Sequence, residues 1–186
     1  MGCGEMSVKE LLSADYKALL VEKHRVNPWG GAGASWVPYI APIIEELELC
    51  GPSILDYGCG RATFKPALLQ VIPDAAVFEY DPGIPGKDSP PEPADVVVAT
   101  DVMEHVELQF VDATLKNLAV LSKRLCFMNI ACNLSKSLLP DGSNAHVTVK
   151  PPEWWIDKVK RTFGDAFEIR VYERKSKRTV IAATRR

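Results

Sequence analysis

Ile54-Leu55-Asp56-Tyr57-Gly58-Cys59-Gly60 is the stretch that decides how this chain folds. Pro52 closes the loop before it, Ile54 and Leu55 form an apolar run, and the run ends in two closely spaced glycines. Gly58 and Gly60 permit positive φ and a close backbone approach to a ligand. Beyond them, Phe64, Leu68 and Leu69 fall on one face of a helix expected over 61–71. A buried strand, a glycine turn and a helix start make a cradle for a nucleotide-like ligand. The spacing is D-x-G-x-G, and no Lys-Ser/Thr pair follows it. That argues against the loops that hold a dinucleotide or a triphosphate.

Working outward, Val8, Leu11, Leu12, Tyr16, Leu19 and Leu20 predict a helix over 7–23. Pro28-Trp29-Gly30-Gly31-Ala32-Gly33 breaks it, and a second helix is expected over 35–49, stopped by Gly51 and Pro52. A strand over 75–81 ends in Asp81. The next thirteen positions hold Pro82, Pro85, Pro90, Pro91 and Pro93, which exclude a regular helix and a central strand. This stretch reads as an ordered loop or lid. A strand over 95–100, a helix over 107–121, a strand over 124–132 and a helix from Pro151-Pro152-Glu153 to about Phe163 follow. The C-terminal residues alternate about a turn at Lys175-Ser176-Lys177, which predicts an antiparallel hairpin, 167–174 with 178–184. Arg185 and Arg186 read as solvated charge, and one indole of Trp154-Trp155 as core. Alternating strands and helices that close on a hairpin give a mostly parallel α/β sheet with an antiparallel edge.

D-Y-G-C-G resembles motif I of the class I S-adenosylmethionine-dependent methyltransferases. Asp81 after Ala75-Ala76-Val77-Phe78, and Asp101-Val102-Met103-Glu104-His105-Val106 after the run 94–100, resemble the next markers of that family in order. The similarity covers roughly 35–186. It implies a Rossmann-like methyltransferase fold whose third-strand region, 82–94, is shortened or absent. It also implies that residues 1–34 form an N-terminal helical lid and 35–186 the catalytic domain.

The resemblance implies S-adenosyl-L-methionine as cofactor. Asp56, Tyr57, Gly58 and Gly60 would cradle its methionine part, with Asp56 ordering the loop or accepting from the ammonium. Asp81 would accept the ribose hydroxyls, with Glu79 as competitor and Pro82 beside it. Thr100 and Asp101 would border the cofactor, and Trp29 would stack on the adenine or line the acceptor pocket. Without a third strand, Asp88 is the nearby acid that can replace the usual adenine contact. His105 is a candidate general base, because imidazole titrates near neutrality. Glu104 and His146 would join it at the same rim of the sheet, and no metal is needed for this reading.

The expected function is methyl transfer, to oxygen, on a small or medium-sized acceptor. One alternative is a metal-assisted nucleic-acid 2′-O-methyltransferase, because D-x-x-E-H with a later His resembles the metal-binding set of small-RNA 3′-terminal 2′-O-methyltransferases. Another is an S-adenosylmethionine-binding protein without turnover. The chain has 186 residues, 47% hydrophobic and 25% charged, enough for one domain with a sizeable core. Its net charge of −2 advertises no broad basic surface, so nucleic acid is not the favoured partner. No membrane span or signal peptide is expected. Met1-Gly2-Cys3 resembles an acylation start, but Met6 stands where that pattern wants Ser or Thr. Five cysteines without a C-x-x-C pair read as reduced thiols of a cytoplasmic protein.

Overall fold

A computed structural model describes residues 11–27, 29–175 and 177–186. Val8, Cys3 and the Met1-Gly2-Cys3 start lie outside the described residues. Six strands form one sheet in the order β2-β1-β3-β4-β6-β5. They are β1 (Ser53–Tyr57), β2 (Ala76–Tyr80), β3 (Ala94–Thr100), β4 (Ser122–Ala131), β5 (Phe167–Lys175) and β6 (Arg178–Arg185). The pairs β1–β2, β1–β3 and β3–β4 are parallel, and β6 runs antiparallel to both β4 and β5. The mostly parallel sheet with its closing hairpin is the expected fold class.

Burial follows the sequence. β3 is the apolar run Ala94-Asp95-Val96-Val97-Val98-Ala99-Thr100, and Val96 to Ala99 are fully buried, as a central parallel strand covered on both faces requires. One face carries α4 (Val111–Leu121) and α5 (Pro152–Phe163), which bring Leu115, Leu118, Trp155 and Val159 against Leu55, Val97 and Met128. The other carries α2 (Val37–Glu46) and α3 (Phe64–Leu68), with Ile40, Ile44, Phe64 and Leu68 against Ile54, Val96 and Val98. α1 (Ala14–Val26) lies apart from both layers, and its Tyr16 and Leu20 pack with Leu139 and Ala145 of the loop after β4.

Three helices differ from expectation, each for a local reason. α1 begins at Ala14, because the Ser13 hydroxyl accepts the Tyr16 N–H and caps the helix there; it then runs on to Val26. α3 is a five-residue stub inside the expected 61–71. Gly60 and Ala62 both take positive φ, and a turn from Ala62 N–H to the Cys59 carbonyl occupies the residues before Phe64. α2 is also shorter than 35–49, because the chain enters it through one 3-10 turn, Gly33–Trp36. Arg185 is exposed but is not free charge. It donates to the carbonyls of Ser122 and Ala119 at the end of α4 and lies 4.5 Å over the Phe167 ring.

Residues 82–93 form no helix and no strand, which leaves β2 as the sheet's edge with Phe78 58% exposed. The loop is ordered by tight turns. Ile84 N–H donates to Asp81, Lys87 N–H to Ile84, and Asp81 N–H back to the Lys87 carbonyl. Cys50, Cys59, Cys126 and Cys132 are free thiols. Among the described residues no helix is long and apolar enough to cross a membrane.

Candidate active site

The register of the parallel strands brings their carboxyl ends to one rim, where ligands of open α/β sheets bind. Tyr57 stands level with Tyr80, and Asp56 with Val98, so the glycine turn emerges beside Asp81 and near the end of β3. The turn is sharp because Gly58 and Cys59 both donate to the Tyr80 carbonyl, at 2.7 and 3.0 Å. Gly58 has φ 78°, and a Cβ there would stand 2.5 Å from Val102. Gly60 has φ 48°, and its Cβ would fall 2.9 Å from the Trp29 carbonyl and from Gly30. Neither position tolerates a side chain, and the second shows that the 29–31 segment lies directly on the turn.

Asp81 is buried and tied down. Oδ2 accepts from Gly60 N–H at 3.0 Å and Oδ1 from Gly83 N–H at 2.9 Å. A carboxylate has about four lone-pair sites, so each oxygen keeps one for a further donor, which suits the two hydroxyls of a ribose. Glu79, the competitor, is instead paired with Lys87 at 2.7 Å. Asp88 is paired with Lys17 of α1 at 2.8 Å, so it fastens the proline-rich loop to that helix. Asp56 is buried beneath the turn and does not line the cavity. Burial, and then the neighbouring carboxylates of Glu79 and Asp81, push its pKa up to about 7.

At the other end of the rim stand Asp101, Glu104, His105 and His146. Asp101 takes φ 55° just past β3, and its Oδ1 accepts from Asn129 at 2.6 Å; burial raises its pKa. The His105 and His146 rings meet edge to face with centroids 4.9 Å apart. His105 Nδ1 is 2.6 Å from the Ala145 carbonyl, and His146 Nδ1 is 2.6 Å from the Asn133 carbonyl. A carbonyl only accepts, so each Nδ1 carries the hydrogen and each Nε2 is left as an acceptor. Burial pulls the His105 pKa down to about 4. Glu104 is wholly buried; Oε1 accepts from Ala131 N–H at 3.0 Å, while Oε2 has no hydrogen-bond partner among the described residues. Burial, with the Asp101 charge next, pushes its pKa up to about 8.

One cavity of about 290 Å³ joins the two ends. Of the expected residues, Trp29, Tyr57, Gly58, Gly60, Asp81, Pro82, Asp101, His105 and His146 line it, while Asp56, Thr100 and Glu104 do not. Sequence reasoning passed over His24. Its Nε2 accepts the Trp29 indole N–H at 2.9 Å and lies 3.9 Å from Asp81 Oδ1. Trp29 in turn sets its ring edge to face on His105, 4.6 Å between centroids. All three histidines of the chain therefore line one cavity. Scarcity was the available signal: three imidazoles in 186 residues, one of them five residues before Trp29.

Solved structures share this fold. Magnesium protoporphyrin IX methyltransferase from Synechocystis PCC 6803, solved with bound SAM, superposes with a TM-score of 0.64 over 94% of this chain and 99% of its own, at 15% identity. The fold is that of the S-adenosylmethionine-dependent methyltransferases. The 1,6-didemethyltoxoflavin-N1-methyltransferase of Burkholderia thailandensis, solved with bound 1,6-didemethyltoxoflavin and S-adenosylhomocysteine, gives a TM-score of 0.62 at 14% identity, over 100% and 98% of the two chains. The methyltransferase domain of bacterial CtHen1-CN gives 0.57 at 13% identity, over 88% and 99%. No protein-family model matches the chain, and no curated protein matches it in sequence. Among the described residues no strand flanks β2 on its outer side, so the third-strand region is shortened or absent, as expected.

Proposed function

We propose that the protein transfers a methyl group from S-adenosylmethionine to an oxygen of a small or medium-sized acceptor. One observation carries this reading: the glycine turn, Asp81 and the two histidines, expected separately from sequence, line a single cavity at the carboxyl rim. The residues fit the cofactor, since Asp81 keeps two free lone pairs beside a turn too tight for side chains. When bound, the cofactor supplies an electrophilic methyl on a sulfonium, and the protein's task is alignment and exclusion of water.

Asp81 binds the ribose hydroxyls, and Tyr57, Gly58, Gly60 and Asp101 frame the remainder. Asp56 acts from beneath by holding the turn. The 1–34 segment serves as a lid, with α1 latched to the rim at Lys17–Asp88, at Lys23 to Ser137 and the Leu138 carbonyl, and at Ser13 to Glu107. His105, whose pKa near 4 keeps it neutral at pH 7, orients the acceptor hydroxyl by accepting its hydrogen bond. The more exposed His146 takes the proton. Glu104 positions both by anchoring the end of β4 through Ala131. The test is methyl transfer from labelled S-adenosylmethionine to a panel of hydroxylated acceptors, with the thermal shift by S-adenosylhomocysteine read alongside. Absence of that shift would sink the cofactor assignment itself.

A second reading has its own observation. One ligand atom each from Glu104, His105 and His146 lies within 4.8 Å of the others. Two imidazoles with Nδ1 held by carbonyls and a carboxylate with a bare oxygen are a chemically adequate set for a divalent ion. Such an ion would orient the acceptor oxygen and lower its pKa. Chelator-sensitive transfer to the 3′ end of an oligonucleotide would decide for it.

A further inference from the structure

We propose that the acceptor is an uncharged, flat, mainly apolar molecule that presents a hydroxyl, seated between the face of α1 and the loop after β3. This rests on the methyl-transfer reading and adds the chemistry of the molecule that receives the group.

Leu12, Tyr16 and Leu20 line the cavity from the α1 side, Val102 and Val106 from the loop after β3, and Trp29 closes its end on His105. These side chains offer a slot with apolar and aromatic walls, which favours a flat ring over a flexible polar chain. Charge points the same way. Among the described residues, Asp81 and Asp101 line the cavity and no Lys or Arg does. Lys23 of α1 is buried, 5.4 Å over the Trp29 ring, and its ammonium is spent on Ser137 Oγ at 2.8 Å and the Leu138 carbonyl at 2.7 Å. A carboxylate or phosphate entering here loses its water and meets two carboxylates. A polyanionic oligonucleotide fares worst, because its affinity comes from Lys and Arg on phosphates.

An ammonium gains little in exchange. Asp101 Oδ1 already accepts from Asn129, the lone pairs that Asp81 keeps beside its two backbone N–H groups go to the ribose hydroxyls, and the cofactor's sulfonium opposes a second cation. What the slot does ask for is a donor. With both Nδ1 hydrogens on carbonyls, the two Nε2 atoms are acceptors at its polar end. A hydroxyl satisfies one of them and an ether or ketone does not.

Thermal shift and labelled methyl transfer on the full chain test this, with S-adenosylhomocysteine saturating for the first and S-adenosylmethionine for the second. The probes are a naphthol, its carboxylated analogue, its aminomethyl analogue and a short RNA. The naphthol should add to the shift and accept the methyl, with each charged probe at least about tenfold weaker. Leu12→Arg should reverse the order of the naphthol and its carboxylated analogue while the shift by S-adenosylhomocysteine alone stays as in the wild type. Any charged probe or the RNA matching the naphthol overturns the proposal. So does a panel in which nothing adds to an intact S-adenosylhomocysteine shift, or a folded Leu12→Arg variant with unchanged preference. Loss of the S-adenosylhomocysteine shift in the wild type is a different failure, that of the cofactor reading.

Discussion

The two ends of the cleft hold buried carboxylates in opposite conditions. At the Asp81 end each oxygen already receives a backbone N–H, from Gly60 and Gly83. At the far end Glu104 has one oxygen on Ala131 N–H and the other without a hydrogen-bond partner among the described residues. Asp81 sits where two loops turn their amides toward it, so its charge is solvated by the fold before any ligand arrives. Glu104 sits under the two histidines in apolar surroundings, and its pKa rises to about 8. One end is a finished cradle for neutral hydroxyls. The other end requires a proton or a cation, and that is where chemistry is expected.

The sharpest break in this comparison is kinetic. His146→Ala should cut turnover on an identified acceptor by about 10²–10⁴-fold, the usual contribution of a positioned acid or base, with S-adenosylhomocysteine affinity near wild type. His105→Ala should lower turnover too and disturb the cofactor as well, since its ring packs on Trp29. If rates survive both substitutions on a good acceptor, alignment alone accounts for catalysis.

At the Asp81 end, the effect should fall on binding. Asp81→Ala removes charge-assisted hydrogen bonds, and calorimetry with S-adenosylhomocysteine should show a loss of about 1.5–3 kcal/mol. Unchanged affinity would defeat the ribose assignment.

The Glu104 end makes its prediction through pH. Its folded pKa lies above the ordinary value of 4.5. Between about pH 4.5 and pH 8 the folded state therefore keeps a proton that the unfolded chain has lost. Stability from this group is fully present below the lower value and declines as pH rises through the window. Glu104→Gln removes that decline, so the variant should gain stability over wild type on going from pH 5 to pH 8, on the order of 2 kcal/mol. Parallel melting curves for the two proteins across this range would show that the carboxyl is not held protonated. A divalent ion at the site would also flatten the wild-type curve, which separates the two functional readings.

The smallest effect is expected at the loop that replaces a strand. Lys17–Asp88 is a half-exposed pair, and such pairs contribute little. Asp88→Ala should leave both melting temperature and S-adenosylhomocysteine affinity close to wild type. A large loss of affinity would instead make Asp88 a cofactor contact.

Local chemistry made much of this legible in the sequence. Strand β1 into the glycine turn, the valine run of β3 and the hairpin β5–β6 are dictated by apolar periodicity and by Gly and Pro, which act over a few residues. Five prolines sufficed to exclude a strand from 82–93. Asp81, His105 and His146 could be placed at one rim because parallel strands point their carboxyl ends the same way. Only the tertiary structure decided which side chains turn into the cavity. Asp56 and Glu104 fall beneath it, since their rotation is set by packing with residues far off in the chain. Only the fold brings His24 of α1 to Asp81 and lays Trp29 on both Gly60 and His105, because nothing local encodes a contact across 57 or 76 positions. The shift of Glu104 likewise follows from burial beside Asp101, a property of the assembled core that the D-x-x-E-H pattern alone does not carry.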